Sequence, residues 1–165
     1  MSVLIVVTGG TFDKEYNELT GELFFKETHL KEMLLLGRNL VNLRAHTLMM
    51  VDSLNMTEEE RQQIVDYCMK APEKQVIITH GTDTMVQTAE LLANQIKDKT
   101  IILTGAMIPY KFGSSDGLFN MGSALAFVQS LPSGVYVAMN GRYFDAHNVK
   151  KNRQDGVFEE LHPTK

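Results

Sequence analysis

Short, unbroken apolar runs set the pattern of this chain. Val3-Leu4-Ile5-Val6-Val7, Gln75-Val76-Ile77-Ile78, Thr100-Ile101-Ile102-Leu103-Thr104 and Val135-Tyr136-Val137-Ala138-Met139 are too short for helices. Their near-continuous apolar character predicts strands buried on both faces of a parallel sheet. Leu43 to Val51 reads as another strand, with Arg44 and His46 alternating early before an apolar finish. Between these runs apolar positions recur at spacings of three and four, which predicts helices. One helix presents Ile64, Tyr67 and Cys68, a second Val86, Ala89, Leu92 and Ala93, and a third Leu118, Met121, Leu125 and Val128. Leu30, Met33, Leu34 and Leu36-Gly37 suggest a short helix ended by glycine. Thr57-Glu58-Glu59-Glu60 is a capping box, and Ala71-Pro72 closes the helix it opens. Strand and helix alternate throughout, so the expected class is α/β: a three-layer sandwich with a mostly parallel sheet. Residues 1–165 read as one domain with a polar tail from about Val149 to Lys165. The tail is expected to be a solvated arm or an oligomer contact.

Parallel sheets bind ligands at the carboxyl ends of their strands, so the loops following the apolar runs matter most. The first run ends in Thr8-Gly9-Gly10-Thr11 and the central run in Thr79-His80-Gly81-Thr82-Asp83-Thr84. The others end in Asp52-Ser53-Leu54-Asn55-Met56, in Gly105-Ala106-Met107-Ile108-Pro109 and in Asn140-Gly141-Arg142. Thr82 or Asp83 can cap the helix that follows, and Asp116 reads as the cap of the third amphipathic helix. Paired with the first loop, the central loop also brings two hydroxyls and a carboxylate towards one small pocket. A threonine hydroxyl needs a base or a neighbouring cation to act as a nucleophile. Backbone N–H groups in glycine turns can supply an oxyanion hole. Asp83 could hold a substrate ammonium, with Ser53 and Asp52 fixing its polar end. The polar stretch Phe12 to Glu22, which carries Tyr16, is long enough to fold over the strand ends as a lid. The chemistry that fits is acyl transfer from a small polar amide or ester.

Composition removes several rivals. An apolar fraction of 44%, a charged fraction of 22% and a net charge of −4 are ordinary for a globular domain and offer nothing to a nucleic-acid backbone. No apolar run approaches a membrane span, and Met1-Ser2 leads directly into the first strand without a signal peptide. Cys68 is the sole cysteine, which suits a reducing cytoplasm. His29, His46, His80, His147 and His162 show no ligand spacing, so no metal is expected. There is no GxSxG elbow, GxGxxG turn or Walker lysine, and no cofactor is expected.

Thr8-Gly9-Gly10-Thr11 and His80-Gly81-Thr82-Asp83-Thr84 resemble the two signature motifs of the bacterial-type L-asparaginases. The similarity continues through Asp52-Ser53-Leu54-Asn55-Met56, Leu103 to Pro109 and Ser115-Asp116-Gly117-Leu118-Phe119-Asn120, from Val3 to about Val149. The resemblance implies hydrolysis of asparagine to aspartate and ammonia through a threonyl acyl-enzyme. It implies Thr11 as nucleophile, Thr82 as the second threonine and Asp83 as the ammonium holder. Ser53 would bind the substrate carboxylate with Asp52 beside it, and Gly10, Gly81 and Ala106 would line the substrate site. Tyr16 takes the place of a loop tyrosine that bonds the nucleophile, at a shorter spacing from Thr11 than the family uses. The resemblance covers the family's N-terminal domain, without the smaller second domain that in a neighbouring subunit completes the site. It also implies a lysine late in the domain, paired with the second threonine; the equivalent position falls at Glu159 or Glu160, with Lys150 or Lys151 as substitutes. The expectation is therefore a cytoplasmic, cofactor-free amidohydrolase acting on a small amide such as L-asparagine, with no nucleic-acid or membrane partner, and family habit implies a homo-oligomer, a dimer or tetramer. Its rivals are a weak or silent amide or amino-acid sensor and the ammonia-releasing part of an amidotransferase.

Overall fold

The computed structural model describes residues 2–163; Met1, Thr164 and Lys165, which belong to the one-domain and tail readings, lie outside the described residues. Chain order runs β1 (Val3–Gly9), the hairpin β2 (Lys14–Asn17) and β3 (Glu22–Phe25), α1 (Leu30–Leu36), β4 (Leu43–Val51) and α2 (Glu58–Lys70). It continues through β5 (Gln75–Thr79), α3 (Met85–Gln95), β6 (Thr100–Thr104), α4 (Gly117–Ser130), β7 (Gly134–Met139) and β8 (Arg142–Asp145). A last hairpin pairs β9 (Lys150–Asn152) with β10 (Val157–Glu159).

The central sheet has six strands in the order β4-β1-β5-β6-β7-β8. The first five are mutually parallel, and β8 runs antiparallel to β7. Alternating side chains feed two cores. Leu4, Val6, Val76, Ile78, Ile101 and Leu103 pack on one face with Ile64, Cys68, Ala89 and Leu92 from α2 and α3. Val3, Ile5, Val7, Ile77 and Ile102 pack on the other with Leu30, Met33, Met121 and Val128 from α1 and α4. Helices thus cover both faces, as the unbroken apolar runs require. Among the described residues no helix is long and apolar enough to cross a membrane.

The capping box of α2 is present: Thr57 Oγ1 accepts from Glu60 N at 3.2 Å, and the Glu60 carboxylate accepts from Thr57 N at 2.8 Å. The Thr82 or Asp83 cap is overturned, and Asp116 takes the expected cap position without a side-chain cap bond. α3 starts at Met85 with Thr84 in the cap position and no side-chain cap bond, which leaves Thr82 and Asp83 free for other partners. Asp116 precedes α4 but likewise makes no cap bond, because its carboxylate is committed to the loop after β6.

Two segments expected to be irregular are hairpins. Phe12 to Glu22 begins with a 3-10 turn, Thr11–Asp13, and continues into β2, which pairs with β3 from Lys14↔Phe25 to Asn17↔Glu22. The polar tail folds as β9–β10 rather than as a solvated arm. Phe158 and Val149 are buried in the α2/α3-side core, and Phe158 N donates to Asn140 Oδ1 at 2.8 Å. Backbone pairing makes both hairpins, so their side chains need not alternate in polarity.

Candidate active site

In this strand order the connection from β1 moves outward to β4, and the connection from β4 returns past β1 to β5. The chain therefore reverses direction between β1 and β5, and open α/β sheets bind ligands in the crevice at such a switch point. The two threonine loops leave the sheet at these two strands.

Glycines let the loops approach closely. A Cβ on Gly10 would stand 2.5 Å from the Gly81 Cα, and Gly10 has a φ of +79°, which side chains avoid. A Cβ on Gly81 would fall 2.5 Å from both Cβ and Oγ of Ser53. The loops after β1, β5 and β4 are thus stacked backbone on backbone. Thr8 Oγ1 adds a 2.7 Å bond to Thr79 O between the first two. Phe12 is fully buried on the α1/α4 side and anchors the turn that carries Thr11.

A buried polar chain fixes the central loop from below. His80 has no solvent contact; Nδ1 lies 2.8 Å from Gly81 O and Nε2 2.8 Å from Thr88 Oγ1. A carbonyl can only accept, so Nδ1 carries the proton and Nε2 accepts from Thr88. Burial pushes the His80 imidazole down to about 4, so it is neutral at physiological pH. Arg61 of α2 donates to Thr88 Oγ1 at 2.9 Å and to Thr84 Oγ1 at 3.1 Å. Thr84 then donates to Ser53 O at 2.9 Å, tying the β5 loop to the β4 loop.

The Lys151 ammonium reaches this cluster from β9. It donates to Thr82 Oγ1 at 2.8 Å and to Asp83 Oδ1 at 2.9 Å. Thr82 is 5% exposed. Arg153, in the turn after β9, also pairs with Asp83 Oδ1 and donates to Asp83 O at 3.3 Å. Lys151 above all, and then Arg153, hold the Asp83 carboxyl below the usual carboxylate range against the opposing effect of burial.

The expectation that the late lysine is replaced at Glu159 or Glu160 is therefore corrected. Lys151 supplies the cation beside the second threonine, while Glu159 pairs with Lys150 at 3.1 Å and Glu160 with Arg142 at 3.5 Å. Register explains the outcome: Lys151 stands opposite the buried Phe158, and successive strand residues point to opposite faces. Lys150 accordingly points away from Thr82.

The remaining sequence-chosen residues take varied places. Ser53 is buried in the 3-10 turn Ser53–Asn55. Asp52 accepts from Leu54 N at 3.0 Å and pairs with Lys14 of β2, which holds its carboxyl below the ordinary range. Ala106 is buried in the loop after β6. Asp116 steadies that loop by accepting from Met107 N at 2.9 Å and Ile108 N at 3.0 Å. Asn120 donates to Gly105 O at 2.9 Å and to Asp116 Oδ2 at 3.0 Å. Tyr16 sits on β2, 53% exposed, and its hydroxyl bonds no described residue, Thr11 included. Sequence reasoning missed Arg61, Thr84, Thr88, Arg153 and the inward role of His80. An Arg in an otherwise apolar helix face was the one available signal for Arg61. Among the described residues no three His, Cys, Asp or Glu stand close enough together to hold a metal ion.

Chemically, the arrangement places a hydroxyl-bearing glycine turn beside a second hydroxyl that accepts from an ammonium. Because Lys151 donates to Thr82 Oγ1, the threonine's own proton is free to point elsewhere. A family described as Asparaginase, N-terminal, matches residues 2–158. A glutaminase-asparaginase of Acinetobacter glutaminasificans is 33% identical over 163 residues, covering 91% of this chain and 49% of that protein. L-asparaginase 1 of Escherichia coli strain K12 is 30% identical over 171 residues, covering 94% of this chain and 48% of that protein. The thermostable L-asparaginase from Thermococcus kodakarensis shares the fold, with a TM-score of 0.87 and 26% identity across 99% of this chain and 52% of that one. The chain spans about half the length of these relatives.

Proposed function

The chain belongs to the asparaginase family, and on that premise we propose that it hydrolyses the side-chain amide of L-asparagine to L-aspartate and ammonia. The observation that carries the reading is the contact of Lys151 with both Thr82 and Asp83 beneath the stacked glycine loops. It also supplies the activating cation whose absence would have favoured a silent sensor.

In this reaction Thr11 Oγ attacks the amide carbon and its proton passes to the nitrogen, which departs as ammonia when the C–N bond breaks. N–H groups of the glycine turns stabilise the oxyanion. Thr82, accepting from Lys151, directs its own hydroxyl proton at the departing nitrogen and then orients the water that cleaves the Thr11 ester. Asp83 holds the α-ammonium, and Ser53 holds the α-carboxylate, with the Lys14–Asp52 pair beside it. Gly10, Gly81 and Ala106 give the backbone wall against which the substrate lies. Tyr16 acts once the β2–β3 hairpin swings inward over Thr11.

The same reading makes the enzyme a cytoplasmic homo-oligomer. The buried, unpaired thiol of Cys68 supports the first point. Ile108, Phe112 and Phe119, exposed around the loop after β6 and the start of α4, support the second. Gel filtration at the mass of one chain, with full activity, would rule the oligomer out. The function is tested by ammonia release from L-asparagine and L-glutamine over a wide concentration range. Wild type should release ammonia from L-asparagine, and folded Thr11→Ala should not. Release by both proteins, or by neither, overturns the proposal.

A further inference from the structure

We infer that Arg153 tunes the substrate preference of this site, weakening its hold on the α-ammonium of L-asparagine relative to carboxylate-bearing amides that lack one, such as succinamate. The inference rests on the amidohydrolase reading above and deepens it.

Asp83 is the group assigned to a substrate ammonium, yet it already faces two cations. Its Oδ1 takes Lys151 at 2.9 Å and the Arg153 guanidinium, whose second nitrogen donates to Asp83 O at 3.3 Å. Arg153 therefore grips both the side chain and the main chain of this one residue. With Lys14 paired to Asp52, three cations face two carboxylates around the pocket.

The position of Arg153 is built into the hairpin. Lys151 lies on β9 and Arg153 in the turn that follows it, and both side chains reach Asp83 Oδ1. The Asn152 side chain closes the turn, Oδ1 accepting from Gln154 N at 3.1 Å and Asp155 N at 3.2 Å. Gly156 N returns to Asn152 O at 2.9 Å, and the opposite strand is anchored by buried Phe158.

An amino-acid amide brings its ammonium towards a carboxylate whose charge is already matched at Oδ1 by Lys151 and Arg153, so the attraction left for it is reduced. Exposed Arg–carboxylate pairs are weak, and the charge matched by this one costs the ammonium about fivefold in affinity. An amide without the ammonium leaves the pair in place, and the excess positive charge favours its carboxylate.

The test compares wild type with Arg153→Gln. Calorimetry reads binding of the products L-aspartate and succinate, and ammonia release reads kcat and KM for L-asparagine and succinamate. The variant should bind L-aspartate about fivefold tighter and succinate no tighter. The kcat/KM ratio of asparagine over succinamate should rise by the same factor, carried by KM. Equal changes for both ligands, no change, or no binding of either overturns the inference. Wild type that releases ammonia from no amide sinks the hydrolase reading instead, while the aspartate-to-succinate affinity ratio still decides the role of Arg153.

Discussion

Lys151 Nζ lies 2.8 Å from Thr82 Oγ1 although 69 residues separate the two in the chain. Sheet pairing brings Thr82 to the switch point, and the β9–β10 register turns Lys151 towards it. Lys151→Met should lower kcat by roughly 10²–10⁴-fold, the usual worth of a positioned proton-transfer partner. Steady-state kinetics check this, with circular dichroism showing that the fold is kept.

The same substitution should move the acid side of the pH profile. Lys151 is the main cause of the low Asp83 pKa, so its loss lets that carboxyl rise towards its ordinary value. Ionised Asp83 is then lost at a higher pH, and the acid limb of kcat/KM shifts upward in Lys151→Met. A profile in which that limb stays fixed would show that Asp83 ionisation does not govern substrate capture.

His80 gives the stability curve an acid slope. Its imidazole falls from the ordinary 6.5 to about 4 on folding, so the unfolded chain takes up a proton before the folded one does. The stability tied to neutral His80 is complete above pH 6.5 and is lost as pH drops towards 4. The loss is on the order of 3 kcal/mol at about 1.4 kcal/mol per unit. Urea midpoints measured across that window should fall in wild type and stay flatter in His80→Gln.

Gly81→Ala forces a Cβ to within 2.5 Å of the Ser53 side chain. The β5 and β4 loops must separate, at a cost of about 1–3 kcal/mol. A shift near 1 Å in a reacting group can cost about 10²-fold in rate, so kcat/KM should drop by about that factor. Urea melts and kinetics on the one variant read both effects.

Asp116→Ala removes the carboxylate that accepts from Met107 N and Ile108 N. Hydrogen bonds to charged groups contribute about 1.5–3 kcal/mol each, and water replaces part of that at this half-exposed loop. A destabilisation of about 2 kcal/mol is expected, with the KM for the amide raised because the Ala106 loop loses its support. An unchanged urea midpoint would show that Asn120, which donates to Gly105 O, and Ser115, which donates to Ile108 O, suffice to hold the loop.

The parts of this fold that burial dictates were legible in the sequence. Val3 to Val7 and Gln75 to Ile78 can only be buried strands, and the glycines after them mark where backbones must meet. The Thr57–Glu60 capping box was legible because its chemistry is local. What escaped was decided by distant partners. Lys14 to Asn17 shows no alternation, since β2 exists through its pairing with β3. Lys151 and Lys150 look alike in sequence, and only the register against β10 tells them apart. His80 has no ligand spacing because its partners, Gly81 O and Thr88, are acceptor and donor in a structural chain. Asp116 precedes a helix as caps do, yet its carboxylate reaches back to residues 107 and 108.

On the proposed hydrolase reading, the interlocked glycine turns also govern when the molecule becomes reactive. Gly10 and Gly81 meet only after β1 has found β5, and Lys151 arrives only when the last hairpin has closed on Phe158. A chain emerging from the ribosome at roughly 5–20 residues per second therefore carries its hydroxyls for several seconds with nothing to activate them. Under the proposed mechanism, the hydroxyls and their activating cation are brought together only when both the sheet and the β9–β10 hairpin have formed.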